Sequence, residues 1–323
     1  MPSFASYVMV DWSAASVPRL GRDSIWIAVA ERRAERRRGK GAARTALVNL
    51  RTRAEAAAWL EARLAALAKT GRVLAGFDFP FGYPAGTAAR LGLNGTAWRS
   101  LWTELAAAIA DDAANANNRF DLAEDWNRRI GGEAFPFWGN VREEQRAHLL
   151  RRGCRAHGPG DLPRRRLADA RVPGAHPVWQ LAGNGSVGSQ ALLGIPRVWQ
   201  LRHAPALETI AAIWPFETGL ADDGGKRVIL AESYPSLVKA KRLAHLPKDA
   251  GQVAAMVEAF AAADAAGTLP GWFAGDPELS AAERAAVEAE EAWILGLNGR
   301  AKRVLRPRRR LRPRRRTRRR RRG

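Results

Sequence analysis

The chain has 323 residues, 46% of them hydrophobic, so it is long enough for a sizeable core of about two domains and too apolar to be disordered throughout. Its formal net charge of +21 is unevenly placed: residues 300–323 hold 16 of the 53 basic residues and no acid, which leaves +5 for the first 299. The one cysteine, Cys154, excludes an internal disulfide framework and fits a reducing, cytoplasmic setting; no apolar run approaches the ~18 residues of a membrane span, and no basic-then-apolar leader opens the chain.

Apolar runs at 6–12, 24–30 and 44–50 predict three strands, the first two separated by a turn around Pro18 and Gly21. Their short connections suggest an antiparallel meander. The period then changes. Leu60, Leu64 and Leu67 recur at helical spacing within 53–69, with Thr52 as N-cap. A fourth strand follows at 72–78. A strand that follows a helix in this way marks a crossover onto a parallel neighbour. Further on, a helix is expected near 97–111, a basic Pro/Gly-rich loop at 151–177 and a Gly-rich segment at 181–194. A strand is expected at 227–234, then helices at 248–266 and 281–293. The tail from 300 masses arginine with few apolar residues, the composition of a disordered segment.

The order β-β-β-α-β-α-β-α predicts an α/β protein with an RNase H-like core, a mixed five-stranded sheet with helices on both faces. The expected organisation is a core in two parts, 1–85 and 225–266, interrupted by an insertion over 86–224 that contains the second core helix. A C-terminal helical cap (267–299) and the Arg-rich tail (300–323) follow.

Four carboxylates stand where such a sheet would bring strand ends together. Asp11 ends the first strand, Asp78 the fourth, Glu232 lies in the last, and Asp249 opens the helix after it, with Asp264 as its rival. Clustered carboxylates are hard oxygen ligands of the kind Mg²⁺ or Mn²⁺ prefers, and two such ions can clamp the attacking water and leaving oxygen of a phosphodiester. Each acid alone also reads as a cap, turn residue or ion-pair partner.

The segments VDWSA (10–14), GFDFPFGYP (76–84), VWQLAGNGSVG (178–188), WPFETG (214–219) and AESYPS (231–236) resemble domain-of-unknown-function family 429 over about residues 6–297. The resemblance implies a nuclease of RNase H-like fold with Asp11, Asp78 and Glu232 at its acidic centre. Some similar proteins carry a label tied to molybdopterin guanine dinucleotide synthesis.

Other patterns point the same way with less force. Gly183-x-Gly185-x-x-Gly188 matches a dinucleotide fingerprint without the βαβ unit around it; it reads as a tight turn before a helix, or as a phosphate cradle to which Ser186 and Gln190 contribute. Arg165, Arg166 and Arg171 in the basic loop, and Lys239 and Lys241 after the last strand, are candidate phosphate contacts. Cys154, His157 and His148 lack zinc-site spacing, and no Gly-x-Ser-x-Gly elbow is present. The expected function is a divalent-metal-dependent phosphodiester hydrolase, a nuclease, acting on nucleic acid or a nucleotide-type phosphate ester. The alternatives are a nucleotide-binding protein of the same fold without turnover, and a nucleic-acid scaffold run by the tail.

Overall fold

The computed structural model describes residues 2–32, 44–142, 144–183, 185–222 and 225–299. The disorder expected for 300–323 falls outside the described residues.

The first elements follow the sequence reading: β1 (Ser6–Asp11), β2 (Ile25–Glu31), β3 (Arg44–Leu50), α1 (Arg53–Ala68) and β4 (Val73–Phe77). Thr52 caps α1, its hydroxyl accepting from the Glu55 N–H at 3.2 Å. There follow α2 (Thr87–Arg90), α3 (Ala97–Ala108), α4 (Arg119–Gly131), α5 (Leu167–Arg171), α6 (Gly188–His203), β5 (Ala211–Trp214) and β6 (Val228–Glu232). The chain continues through α7 (Lys248–Ala265), α8 (Pro270–Phe273) and α9 (Ala281–Ala286) into a π-helical turn, Val287–Glu291.

The strands form one mixed sheet of order β3-β2-β1-β4-β6-β5. The pairs β1/β2 and β2/β3 are antiparallel, while β1/β4, β4/β6 and β6/β5 are parallel. The protein is therefore α/β, with six strands among the described residues rather than the five expected. The additional strand is β5, four residues at the edge beside β6.

Strand side chains alternate between the two faces, and the core divides accordingly. Val8, Val10, Val73, Ala75, Phe77, Val228 and Leu230 face one layer, built with α1, α3, α4 and α6. Tyr7, Met9, Leu74, Ile229 and Ala231 face the other, against Val253, Met256, Val257 and Phe260 of α7. Residues 86–224 thus supply helices to the first layer and share its continuous core. Most of their tryptophans are spent there: Trp98, Trp102, Trp126 and Trp179 are buried. Among the described residues no helix is long and apolar enough to cross a membrane.

Candidate functional site

The parallel register of β1 and β4 pairs Val10 with Phe77, so the next pair outward is Asp11 and Asp78. By alternation both belong to the α7 face. Asp78 donates its backbone N–H to the Val10 carbonyl at 3.2 Å, and its carboxylate accepts the Trp12 N–H at 2.7 Å. The two carboxyl groups are in hydrogen-bond contact. The first turn of α7 brings Asp249 close enough for its charge to act on both.

Such a pair cannot hold two full negative charges away from bulk water unless a proton or a cation sits between them. Burial raises the Asp11 pKa well above the ordinary carboxylate range. The charge of Asp78, the hydrogen bond to it and the charge of Asp249 push the same way, with Lys248 opposing. Burial raises Asp78 as well, but hydrogen bonds from Asp11 and the Trp12 N–H draw it back. One proton is therefore shared across the pair when no cation is present.

Glu232 does not join them. It pairs in register with Phe77, not Asp78, and so points into the opposite layer. There it is buried, with Oε1 and Oε2 accepting from Arg166 at 2.6 and 2.7 Å and Oε2 also accepting the Phe81 N–H at 2.9 Å. Burial raises its pKa and the Arg166 charge opposes the rise. The residue of β6's continuation that does share the α7 face beside Asp78 is Ser233. Its Oγ is buried without a hydrogen-bond partner among the described residues.

Asp264, the rival of Asp249, lies in the last turn of α7. It accepts the backbone N–H groups of Ser3 and Phe4, each at 2.8 Å, and the Tyr7 hydroxyl at 2.6 Å. Its work is to fasten the N-terminal segment, and Asp249 alone of the two reaches the acid pair.

Asp11 and Asp249 open on a cleft of about 470 Å³ whose lining includes Ser16, Arg19, Asp23, Arg119, Ser186, Ser189 and Gln190. Ser186 and Gln190, which the sequence offered as contacts of a phosphate cradle, line the same cleft as Asp11 and Asp249. Gln190 donates to the Trp12 carbonyl at 2.6 Å, which ties the first turn of α6 to the strand end carrying Asp11. Gly188 is required there, because a Cβ would overlap the carbonyl oxygens of Val178 and Gln180.

The residue the sequence reading missed is Arg119, the first residue of α4. It is 7% exposed. Its guanidinium donates from Nε to Ser189 Oγ at 3.0 Å, and from Nη1 to Ser16 Oγ at 3.0 Å and Asn117 Oδ1 at 2.7 Å. Among the described residues no carboxylate lies within ion-pair distance of it. Burial lowers its pKa to about 10, helped by the charges of Arg53 and Arg142, with Asp111 opposing.

The other arginines and lysines expected to meet phosphate are placed differently. Arg166 is fully buried, held by Asp169 (2.8 Å) as well as Glu232. Arg171 is spent on Asp276 (2.7 Å) and Glu283 (3.4 Å). Lys241 pairs with Glu258, and Lys239 and Arg165 are exposed outside the lining of the cleft. Burial raises the pKa of the Cys154 thiol, which keeps it from being a ready nucleophile.

Among the described residues no three His, Cys, Asp or Glu side chains are grouped to enclose a metal ion. The four-carboxylate cage expected from sequence reduces to one close pair, Asp11 and Asp78, with Asp249 nearby. That set still fits Mg²⁺ or Mn²⁺, since Mg²⁺ keeps several waters and commonly takes only one or two carboxylates. Comparison with protein-family models, with curated proteins and with solved structures finds no match to this chain.

Proposed function

We propose that this chain is a divalent-metal-dependent phosphodiester hydrolase of RNase H-like fold. The single observation that carries the reading is the half-buried pair Asp11 and Asp78, at neighbouring strand ends on the edge of a polar cleft, two acids in contact that need a proton or a cation between them. The strand order, with one antiparallel strand between β3 and β1 and parallel strands beyond, supports the fold assignment.

Asp11 and Asp78 would hold the cation, with Asp249 adding negative charge beside them. When bound, Mg²⁺ or Mn²⁺ supplies Lewis acidity toward phosphoryl oxygen and lowers the pKa of coordinated water. The chain's own groups do the rest. The Trp12 N–H fixes the Asp78 carboxylate, and Gln190 fixes the Trp12 carbonyl, so the acid pair is held before substrate arrives. Water oxygen forms the new P–O bond as the bond to the leaving oxygen breaks. One water proton passes to solvent or to Asp249, and one is returned to the leaving oxygen.

The test is cleavage of DNA, RNA and a chromogenic phosphodiester by the full chain with Mg²⁺ or Mn²⁺, beside an Asp11→Asn/Asp78→Asn double variant. Metal-dependent cleavage that the double variant loses by at least 10³-fold supports the reading. Equal cleavage by both chains overturns it. A second reading, a nucleotide-binding protein without turnover, is favoured by the size of the cleft, since about 470 Å³ suits a mononucleotide. Stabilisation by a mononucleotide with Mg²⁺ and no hydrolysis would select it.

A further inference from the structure

Arg119 occupies a position that costs the fold on three counts. It is a buried cation with no carboxylate within ion-pair distance among the described residues. It stands at the first residue of a 13-residue helix, the end where the aligned peptide dipoles already place positive charge. Its electrostatic neighbours include two further guanidiniums, Arg53 and Arg142. Asp111 pairs with Arg53 at 2.5 Å and with Arg197 at 2.9 Å, so its single charge is shared between two other guanidiniums and reaches Arg119 only at a distance.

The surroundings hold this cation in place without neutralising it. Ser16, Ser189 and Asn117 fix Nε and Nη1 through neutral oxygens. The Arg119 side chain also lies over the Phe120 ring, with Cζ 4.4 Å from its centroid. The group opens on the cleft next to the first turn of α6, where Ser186 and Gln190 line the wall. Three carboxylates, Asp11, Asp23 and Asp249, line the same cleft. Asp23 lies 3.9 Å from Arg19, and Asp11 is set against Asp78 at the neighbouring strand end.

We infer that Arg119 is the floor of a subsite for a terminal phosphate group, so that the cleft takes phosphate-ended, nucleotide-sized esters in preference to the interior of a long duplex. A phosphate monoester supplies the dianion the buried guanidinium lacks, and its oxygens match the fork of Arg donors, the α6 backbone and the Ser186 hydroxyl. A continuous duplex cannot lower an internal phosphate to a floor 7% exposed, whereas a free end can. The inference rests on the hydrolase reading only for which bond is cut, and not for the binding itself.

The experiment measures binding of inorganic phosphate, and of a dinucleotide with and without a 5′-phosphate, to the full chain in EDTA by calorimetry. Arg119→Gln, Ser186→Glu and Asp11→Asn are compared with the unaltered chain, and each variant's fold is checked by circular dichroism. Expected are binding of phosphate, a preference of at least tenfold for the phosphorylated dinucleotide, and loss of at least tenfold in both on Arg119→Gln. Ser186→Glu, which places a negative charge on the wall without touching the buried guanidinium, gives the same loss and decides the matter if Arg119→Gln does not fold. Asp11→Asn retains phosphate binding. Absence of phosphate binding by the unaltered chain overturns the subsite, as does binding indifferent to Arg119→Gln and Ser186→Glu. Binding that depends on Arg119 without metal-dependent cleavage upholds the subsite and removes the hydrolase reading. Cleavage that depends on Asp11 without phosphate binding does the reverse.

Discussion

At the scale of single residues, what an acid does here is decided by which face of the sheet it meets. Asp11 and Asp78 are held together against their own repulsion, and that repulsion sets a direction for stability. Both have folded-state pKa values above the ordinary range, so the folded chain keeps protons that the unfolded chain has lost. The pair's own contribution to the stability of the metal-free chain is therefore fully present below the ordinary carboxylate pKa, and it is lost as pH rises through that range toward the raised values. Asp11→Asn removes the conflict. It is expected to raise the unfolding midpoint in EDTA near neutral pH by about 2 °C, or about 1 kcal/mol, and to flatten the pH dependence; under the proposed metal-dependent function, Mn²⁺ should stabilise the unaltered chain and not this variant. Glu232 differs in having a cation as its partner. Breaking its ion pair with Arg166→Ala leaves two buried acids uncompensated and should cost about 3–5 kcal/mol in denaturant unfolding. The sequence made the four acids visible, but not their facing, because facing depends on the register between β4 and β6. Arg119 gave no signal in sequence, since its burial is produced by Ser16 and Ser189, 103 residues before it and 70 after it.

At the scale of elements, the strands with continuous apolar runs were legible, and so was α1 with its cap. β5 was not: four residues with two alanines carry little strand preference. α6 was obscured by Gly188, Gly194 and Pro196, residues that usually mark loops. Gly194 is there because a Cβ would overlap the Phe79 ring. The start of α7 has a similar requirement. Gly251 accepts the Lys241 N–H at 3.2 Å, and a Cβ on it would overlap the Lys241 carbonyl oxygen. Gly251→Ala must push the first turn of α7 away from that segment and carry Asp249 with it. The expected cost is about 1–3 kcal/mol, measured by denaturant unfolding, together with weaker Mn²⁺ binding although no ligand is altered.

At the scale of the whole molecule, residues 267–299 are more than a cap. The turn after α9 places two buried glutamates against the segment that follows β4. Glu290 accepts from the Gly86 and Ala88 N–H groups at 2.7 and 2.6 Å, and Glu291 from Ala85 at 2.9 Å and Leu167 at 2.5 Å. Beyond them the Leu295 N–H donates to the Glu232 carbonyl at 2.9 Å. The C-terminal segment thus closes the space between β4, α5 and β6, far from it in sequence. Composition offered only an acidic helix there, because long-range capping leaves no local pattern. Glu290→Ala strands the buried Ala88 N–H and the half-buried Gly86 N–H and should destabilise the chain by about 2–4 kcal/mol, a loss that Glu290→Gln only partly restores.

The two faces of β6 have a consequence for how this sequence can change over generations. Glu232 answers to Arg166 and Asp169, whereas Asp11 answers to Asp78, with Asp249 at its edge. Drift at one set leaves the other untouched, since the sheet lies between them. Among relatives of this chain, the acids that look like one quartet are expected to vary as two separately inherited groups, with the acid of β6 tied to the packing around Arg166 and those at the ends of β1 and β4 tied to each other.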